Sequence, residues 1–297
     1  MREIVYTAQA EDDGREVKRV IRSRMGVSHR QLGALKAAGG ILIDGEPARS
    51  NAPVRAGSRI TLRLPDEPQG AAEACEGPVD IVYEDGDLMV LNKEAPLACQ
   101  SSDRQPKHSL ENRLAYLYAQ RGEPFLFRPV NRLDRGTSGL MVAAKHAHAQ
   151  NLLQEQLHTD RFAREYLAVL AGSPPQEAGV VDAPIAKADG ATVRRCVRPE
   201  SEGGRPSTTE YRVLARRQDR TLVRLRLLTG RTHQIRVHMA HLGCPVFGDF
   251  LYGQEDARLP GRFALHSAHL RLTHPMTGQE LDFEQPLPEE LARLMRE

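Results

Sequence analysis

The residues best placed to do chemistry fall in three stretches. The first is Asn131-Arg132-Leu133-Asp134-Arg135-Gly136-Thr137-Ser138-Gly139. It sets one carboxylate, Asp134, between two arginines, where an extended segment opens into a turn with glycines at both ends. Loops held by rigid elements are a common seat of binding and reacting groups. A carboxylate is ionised at neutral pH, its ordinary pKa being about 3.9, so it can act as a nucleophile or base without an activating partner. The second stretch holds Tyr166 and the third runs from Thr229 to Gly243, with Arg231, His233, Arg236, His238 and His241. Each has a plain structural reading beside the chemical one. A loop aspartate often serves turn geometry and pairs with a neighbouring Arg132 or Arg135, a strand tyrosine packs in a core, and the histidines pack and hydrogen-bond. The three histidines lack a His-x-x-x-His pair and have no acidic neighbour before Asp249, so no metal is expected. No glycine-rich phosphate loop, Ser-His-Asp arrangement or dinucleotide fingerprint occurs.

These groups need elements to position them. Residues 140–144 are an apolar run of strand length after Gly139, and the glycines supply the strained backbone angles of the turn. Residues 164–170 read as a strand with Tyr166, Ala168 and Leu170 on one face. Ile235, His238, Met239 and Leu242 recur at helical spacing, with Thr232 as the expected cap and Gly243 and Pro245 as stops. That helix would present Arg231 with free backbone donors at its N-terminus, an end that attracts anions. Strands are expected at 81–83 and 88–93 around an Asp-Gly turn, at 211–214 and at 222–228, and helices at 109–118 and 146–158. Residues 172–208 read as a long polar loop carrying Arg194, Arg195 and Arg198.

The length of 297 residues and an apolar share of 40% allow one large or two small domains with a sizeable core. No run approaches the roughly 18 apolar residues of a membrane span. The start of the chain has no apolar signal-peptide core. Cys75, Cys99, Cys196 and Cys244 are scattered, which fits a reducing cytoplasm rather than a disulfide framework or zinc ribbon. The net charge of +2 hides an asymmetry: residues 14–64 carry 11 Lys and Arg against 3 Asp and Glu, a balance of +8. That is the electrostatic footprint of a nucleic-acid partner, or else a solvated basic surface. Within this basic stretch a pair of short helices, the second opened by a Ser28-to-Gln31 capping box, precedes a hairpin turning at Asp44-Gly45 and a strand at 59–64. Residues 65–78, rich in Pro, Gly, Ala and Glu, read as a flexible linker.

The helices and hairpin, with Gly39-Gly40-Ile41-Leu42-Ile43-Asp44-Gly45, resemble the S-four-type RNA-binding domain. The rest resembles the RluA/RluD-type pseudouridine synthases. The resemblance rests on Asn131 to Leu140, on Glu165-Tyr166-Leu167-Ala168-Val169, on Leu228-Thr229-Gly230-Arg231-Thr232-His233-Gln234-Ile235-Arg236-Val237-His238, and on Gly243-Cys244-Pro245-Val246-Phe247-Gly248-Asp249 with Leu251-Tyr252-Gly253, all in the family's order. Two departures stand out: Asn131 replaces the family's usual His, and Lys93-Glu94-Ala95-Pro96-Leu97 replaces Lys-Pro-x-Gly.

The resemblance implies an α+β protein with a small α/β RNA-binding domain over residues 1–64, a linker over 65–78, and a catalytic domain over 79–297 built on a mixed, largely antiparallel sheet. It implies isomerisation of uridine to pseudouridine in structured RNA, ribosomal RNA being favoured over transfer RNA, without a cofactor. Asp134, Tyr166 and Arg231 are the implied catalytic residues, with Arg231 as the cation on Asp134 and Arg236 a less favoured partner. Arg132 is the implied gap-filler for a flipped base. Arg19, Arg22, Arg30, Lys36 and Arg236 are the expected RNA contacts. A monomer is expected, since no exposed apolar stripe stands out. The competing readings are an RNA-binding assembly factor with a vestigial pocket and a hydrolase, the latter disfavoured by the absence of a carboxylate cluster for metal.

Overall fold

The computed structural model describes residues 2–65, 69–102, 106–157 and 159–296. The N-terminal region folds as β1 (Arg2–Thr7), α1 (Val17–Arg24), α2 (His29–Ala37), β2 (Ile41–Ile43), β3 (Glu46–Pro47) and β4 (Arg59–Leu64). The strands make a four-stranded sheet in the order β1-β4-β2-β3. The sheet and helices close on their own core, where Val17, Val20, Ile21, Leu35, Ile60 and Leu62 are fully buried. The capping box on Ser28 and Gln31 is present. The strand β1 lies outside the elements expected from sequence. Its alternation is carried by Ile4 and Tyr6, both only half-buried, and so gives a weak signal.

The remainder contains β5 (Ile81–Glu84), β6 (Leu88–Lys93), α3 (Leu110–Arg121), β7 (Arg128–Pro129), β8 (Ser138–Ala144), α4 (Ala147–Gln156), β9 (Phe162–Ala171), β10 (Ala178–Asp182), β11 (Ile185–Lys187), β12 (Arg195–Val197), β13 (Thr208–Arg217), β14 (Arg220–Leu227), α5 (Gln234–His241), β15 (Leu265–Thr273), β16 (Glu280–Glu284) and α6 (Glu289–Arg293). Among the described residues, ten of these strands form one sheet in the order β10-β13-β14-β9-β15-β8-β6-β5, with β16 on β15 and β7 on β8. Among the described residues only β8 and β15 pair in parallel, so the protein is α+β with a mixed, largely antiparallel sheet.

The central strands are apolar throughout because both faces are covered. In β6, Met89 and Leu91 join one core while Leu88 and Val90 join the other. In β8 the same division separates Met141 and Ala143 from Leu140 and Val142.

Three expectations need correction. The stretch 172–208 is not a plain loop, since it holds β10 and the β11–β12 hairpin. Its strands are short and interrupted by glycine, proline and arginine, so no apolar period marks them. Residues 69–78 are not a free linker. They run without regular structure along α3, where the Gly70 N–H donates to Phe125 O (2.8 Å), the Cys75 N–H to Asn112 O (3.1 Å) and Asn112 Nδ2 to Glu73 O (2.7 Å). Residues 66–68 of the expected linker lie outside the described residues, as does His158 of the expected helix 146–158. That helix is α4, capped by His146, whose Nδ1 accepts from the Ala149 N–H at 3.2 Å.

The N-terminal region is fastened to the sheet that follows it. Arg2 donates to Gly86 O (2.7 Å) and pairs with Asp87, and Asn151 of α4 donates to Gly26 O (3.0 Å). Gly26, at φ 61°, lies so close to α4 that a Cβ would sit 2.2 Å from Leu152.

Candidate active site

Asp134 lies on the loop between β7 and β8, and the neighbouring residues explain why the loop holds its shape. Asn131, buried, accepts the Val142 N–H on its Oδ1 at 2.9 Å and ties the start of the loop to β8. The Thr137 N–H donates to Asp134 O at 3.1 Å, closing a turn. Gly139 has φ 105°, and a Cβ there would lie 2.2 Å from Ser267 O, so only glycine lets β8 and β15 meet. Gly136 is there for space rather than for backbone angle: a Cβ would press 2.6 Å from the Phe263 ring.

Under the loop lies Lys93, 1% exposed, donating to Leu97 O (2.7 Å) and Glu94 O (2.9 Å) and reaching Arg135 O at 3.5 Å. Burial pushes its pKa down to about 8. The Lys93 ammonium and the Leu97 N–H both point at Arg135 O, so the loop 94–97 braces the loop that carries Asp134.

The cation on Asp134 is Arg236, not Arg231. Arg236 Nη1 donates to Asp134 Oδ2 at 2.9 Å. Its Nε and Nη2 grip Asp249 in a two-pronged bond of 2.7 and 2.9 Å. Asp249 is fully buried and Arg236 only 3% exposed, whereas the Asp134 side chain keeps 27% of its surface. The guanidinium lies 4.1 Å from the Phe263 ring centre and 5.0 Å from that of Tyr252, a cage that excludes water and fixes its plane. Arg236 is therefore an internal tie and not an RNA phosphate contact, which corrects both expectations for it.

Arg231 lines the same cavity as Asp134 but is held by another partner: its Nε donates to Pro206 O at 3.1 Å. The helix explains the exchange. It starts at Gln234 rather than Thr232, after His233 in a left-handed conformation, and Arg236 falls in its first turn facing inward. The local anchor is Gln234, buried, which accepts from the Arg231 N–H (2.9 Å) and donates to Thr208 O and Thr209 Oγ1 (both 3.0 Å).

Above this group opens a cavity of about 980 Å³ whose lining includes Arg132, Asp134, Tyr166, Arg231 and His233. Tyr166, on β9, is 5% exposed, and burial pushes its hydroxyl up, so it stands as a neutral phenol. Arg132 is exposed at the mouth. A smaller cavity of about 350 Å³ lies between α2 and α4, with Arg30 on one wall. Gln150 and Gln154 line both cavities. Arg19, Arg22, Arg30 and Lys36 are all exposed on α1 and α2 and stand apart from the Asp134 cavity.

His238 is a core histidine, with Nδ1 2.9 Å from Thr209 Oγ1 and Nε2 2.9 Å from Ala183 O. Among the described residues, Asp85, Asp87 and His274 lie close enough to share an ion. Their oxygens are taken up locally: Asp85 Oδ1 accepts the Asp87 and Leu88 N–H groups, and Asp85 Oδ2 meets Tyr83 and His274.

Lys93, Asp249, Tyr252 and Phe263 all support the site, and none of them was expected there from the sequence. Asp249 had a usable signal, an acidic residue in the same run of motifs as the arginines. Phe263 had none, because it reaches the site only through the path of the chain.

The sequence profile of the RNA pseudouridylate synthase family matches residues 87–241. The chain is 37% identical over 274 residues to the uncharacterized RNA pseudouridine synthase YjbO of Bacillus subtilis, covering 92% of this chain and 95% of that one. It is 37% identical over 271 residues to the ribosomal large subunit pseudouridine synthase D of Vibrio parahaemolyticus, covering 86% and 82%. Among solved structures, human RNA pseudouridylate synthase domain containing 1 superposes with a TM-score of 0.58 at 29% identity, over 74% of this chain and 86% of that one.

Proposed function

The chain belongs to the RNA pseudouridine synthase family, and on that premise we propose that it isomerises specific uridines in large-subunit ribosomal RNA, with Asp134 as the reacting carboxylate. The observation that carries this reading is the placement of Asp134. It is the one member of the Asp134–Arg236–Asp249 group that keeps an open face toward the large cavity. A binding protein has no use for an anion held so firmly at the floor of a pocket.

The reaction breaks the bond between N1 of uracil and C1′ of ribose, forms one from C5 to C1′, and moves a proton from C5 to N1. Nothing is oxidised and no group is imported, so no cofactor is needed. Arg236 orients the carboxylate and Asp249 orients Arg236. The Tyr166 ring stacks on the flipped base, with its hydroxyl near the departing C5 proton. Flipping costs a few kcal/mol, least in loops and bulges, and Arg132 at the mouth fills the vacated space. Arg231 faces the same cavity as an RNA contact.

The N-terminal region acts as an S-four-type RNA-binding domain, its Arg19, Arg22, Arg30 and Lys36 holding phosphates. The two cavities share Gln150 and Gln154, and we read them as the route of the RNA from this region to Asp134. The ribosomal assignment follows the names of relatives such as those of Vibrio parahaemolyticus and Haemophilus influenzae. No helix among the described residues is long and apolar enough to cross a membrane. The four cysteines are free, and we place the enzyme in a reducing cytoplasm on that ground.

The test is a chemical map of pseudouridines in total RNA from cells with the gene, without it, and with Asp134→Ala. Ribosomal positions lost in both altered strains support the reading. Loss confined to transfer RNA reassigns the substrate, and no loss anywhere removes the assignment.

A further inference from the structure

One group beside Asp134 has no role in the chemistry above. His233 precedes α5 with φ 59° and ψ 19°. A left-handed backbone at a residue other than glycine is strained, by about 1 kcal/mol or more, and persists where the surroundings demand it. The demand is visible in the ring's contacts. His233 Nδ1 lies 2.9 Å from Tyr252 Oη, and the two rings meet edge to face at 5.7 Å and 79°. Tyr252 Oη in turn accepts the backbone N–H of Arg195, the first residue of β12, at 2.9 Å. The opposite nitrogen, Nε2, lies 3.8 Å from Asp134 Oδ2. His233 lines the same cavity as Asp134.

These contacts suggest a place for the proton. A phenol has one proton to give and lone pairs to accept with. The Arg195 N–H occupies one lone pair of Oη, and the assignment that gives the phenolic proton an acceptor has it donated to His233 Nδ1. A neutral imidazole then carries its single N–H on Nε2, on the Asp134 side. Burial favours the neutral ring, pushing its pKa down against the opposing pull of Asp134. The 3.8 Å gap is too long for a hydrogen bond between the two side chains, but a substrate atom between them is within reach of both.

Resting on the function proposed above, we propose that His233 is a further catalytic residue, donating an Nε2–H hydrogen bond to a uracil oxygen of the target uridine beside Asp134. Tyr252, anchored by β12, is the positioning residue that sets its tautomer. As the N1–C1′ bond breaks, negative charge collects on uracil, and a fixed donor there is worth more in the transition state than in the bound substrate. No proton changes hands in this contact.

The test uses the full-length protein and an in vitro transcript of large-subunit ribosomal RNA that the wild type modifies, with kcat and KM measured for three variants. In His233→Asn, asparagine suits the left-handed backbone, and its amide takes the place of Nδ1 without reaching that of Nε2. The expected result is a kcat about 100-fold lower, KM within about threefold and an unchanged Tm. In His233→Gln the amide reaches the Nε2 position and recovers at least about tenfold of that loss, although the backbone suits it less. In Tyr252→Phe the tautomer is released, and kcat falls about tenfold with RNA affinity kept. A purely structural histidine would rank the variants by stability, with Asn at least as active as Gln. That ranking, or a wild-type kcat in His233→Asn, overturns the inference and leaves the wild-type reaction standing. A wild type that makes no pseudouridine on any large-subunit transcript overturns the proposed function and this inference together.

Discussion

Arg236 holds two carboxylates at once, and the two do not depend on it equally. Asp249 is fully buried, so losing the guanidinium leaves a charge with no solvent to turn to, whereas Asp134 faces the cavity. Arg236→Met is expected to abolish activity and cost about 3–5 kcal/mol of stability, read by urea or thermal unfolding. Arg231→Met removes a side chain that donates to Pro206 O at the protein surface. It is expected to keep stability within about 1 kcal/mol and to raise KM for RNA rather than lower kcat. The sequence placed both arginines near Asp134 but ranked them the wrong way. Five residues of spacing say nothing about where the helix begins, and the start at Gln234 decides which arginine points inward. Lys93 makes a separate prediction. Its pKa, about 8, is below the ordinary 10.5. Between those values the unfolded chain binds the extra proton, so this contribution to stability rises with pH. Relative to Lys93→Met, the wild type is expected to gain about 2 kcal/mol from about pH 7.5 to about pH 10, measured as the difference between paired unfolding curves. A flat difference would mean the buried amine does not titrate in that window.

Among the elements, the parallel contact between β8 and β15 is a tight constraint on the site. It carries Asp134 at one end and sets Tyr166 of β9 one strand further along. Gly139→Ala would force a Cβ to 2.2 Å from Ser267 O at a φ of 105°. It is expected to cost at least about 3 kcal/mol, seen as a Tm lower by several degrees and as activity lost with it. Gly122, also left-handed but with nothing near its Cβ position, is the control and should lose far less under the same change. The apolar strands β6, β8, β9 and β14 and the helices α1 to α5 were legible from their periods, and the start of α2 from the Ser28–Gln31 capping box; the five-residue α6 was not. Nor was the β11–β12 hairpin. Three-residue strands built from Ile185-Ala186-Lys187 and Arg195-Cys196-Val197 carry no period, and pairing alone makes them strands. The C-terminal β15 is a different case. His266, Ser267 and His269 interrupt its apolar pattern, and the two histidines face neighbouring side chains, His266 meeting Ser138 and His269 meeting Asp282.

For the whole molecule, charge asymmetry was the most informative global feature of the sequence. The basic residues 14–64 fold on a core of their own, joined to the sheet domain through Arg2, Gly26 and α4. Replacing Arg19, Arg22, Arg30 and Lys36 together with Gln is expected to raise KM for RNA by about 10-fold or more while leaving kcat alone. The slope of log affinity against log salt should fall by up to about 3. If kcat drops instead, these residues act on the catalytic pocket rather than on the RNA grip. The docking of residues 69–78 along α3 was hidden from sequence because it rests on backbone groups, which composition does not report.

Asp134 as the reacting carboxylate is tested with large-subunit ribosomal RNA transcribed with tritium at carbon 5 of uridine. Tritium release is compared between wild type and Asp134→Asn, alongside RNA binding by filter retention. Asn keeps the shape and the polar contact with Arg236 but removes the anion. Release by the wild type, none by Asp134→Asn, and RNA affinities within about threefold of each other are expected. Release by Asp134→Asn at the wild-type rate would contradict this role of Asp134, because the reacting carboxylate would then lie elsewhere.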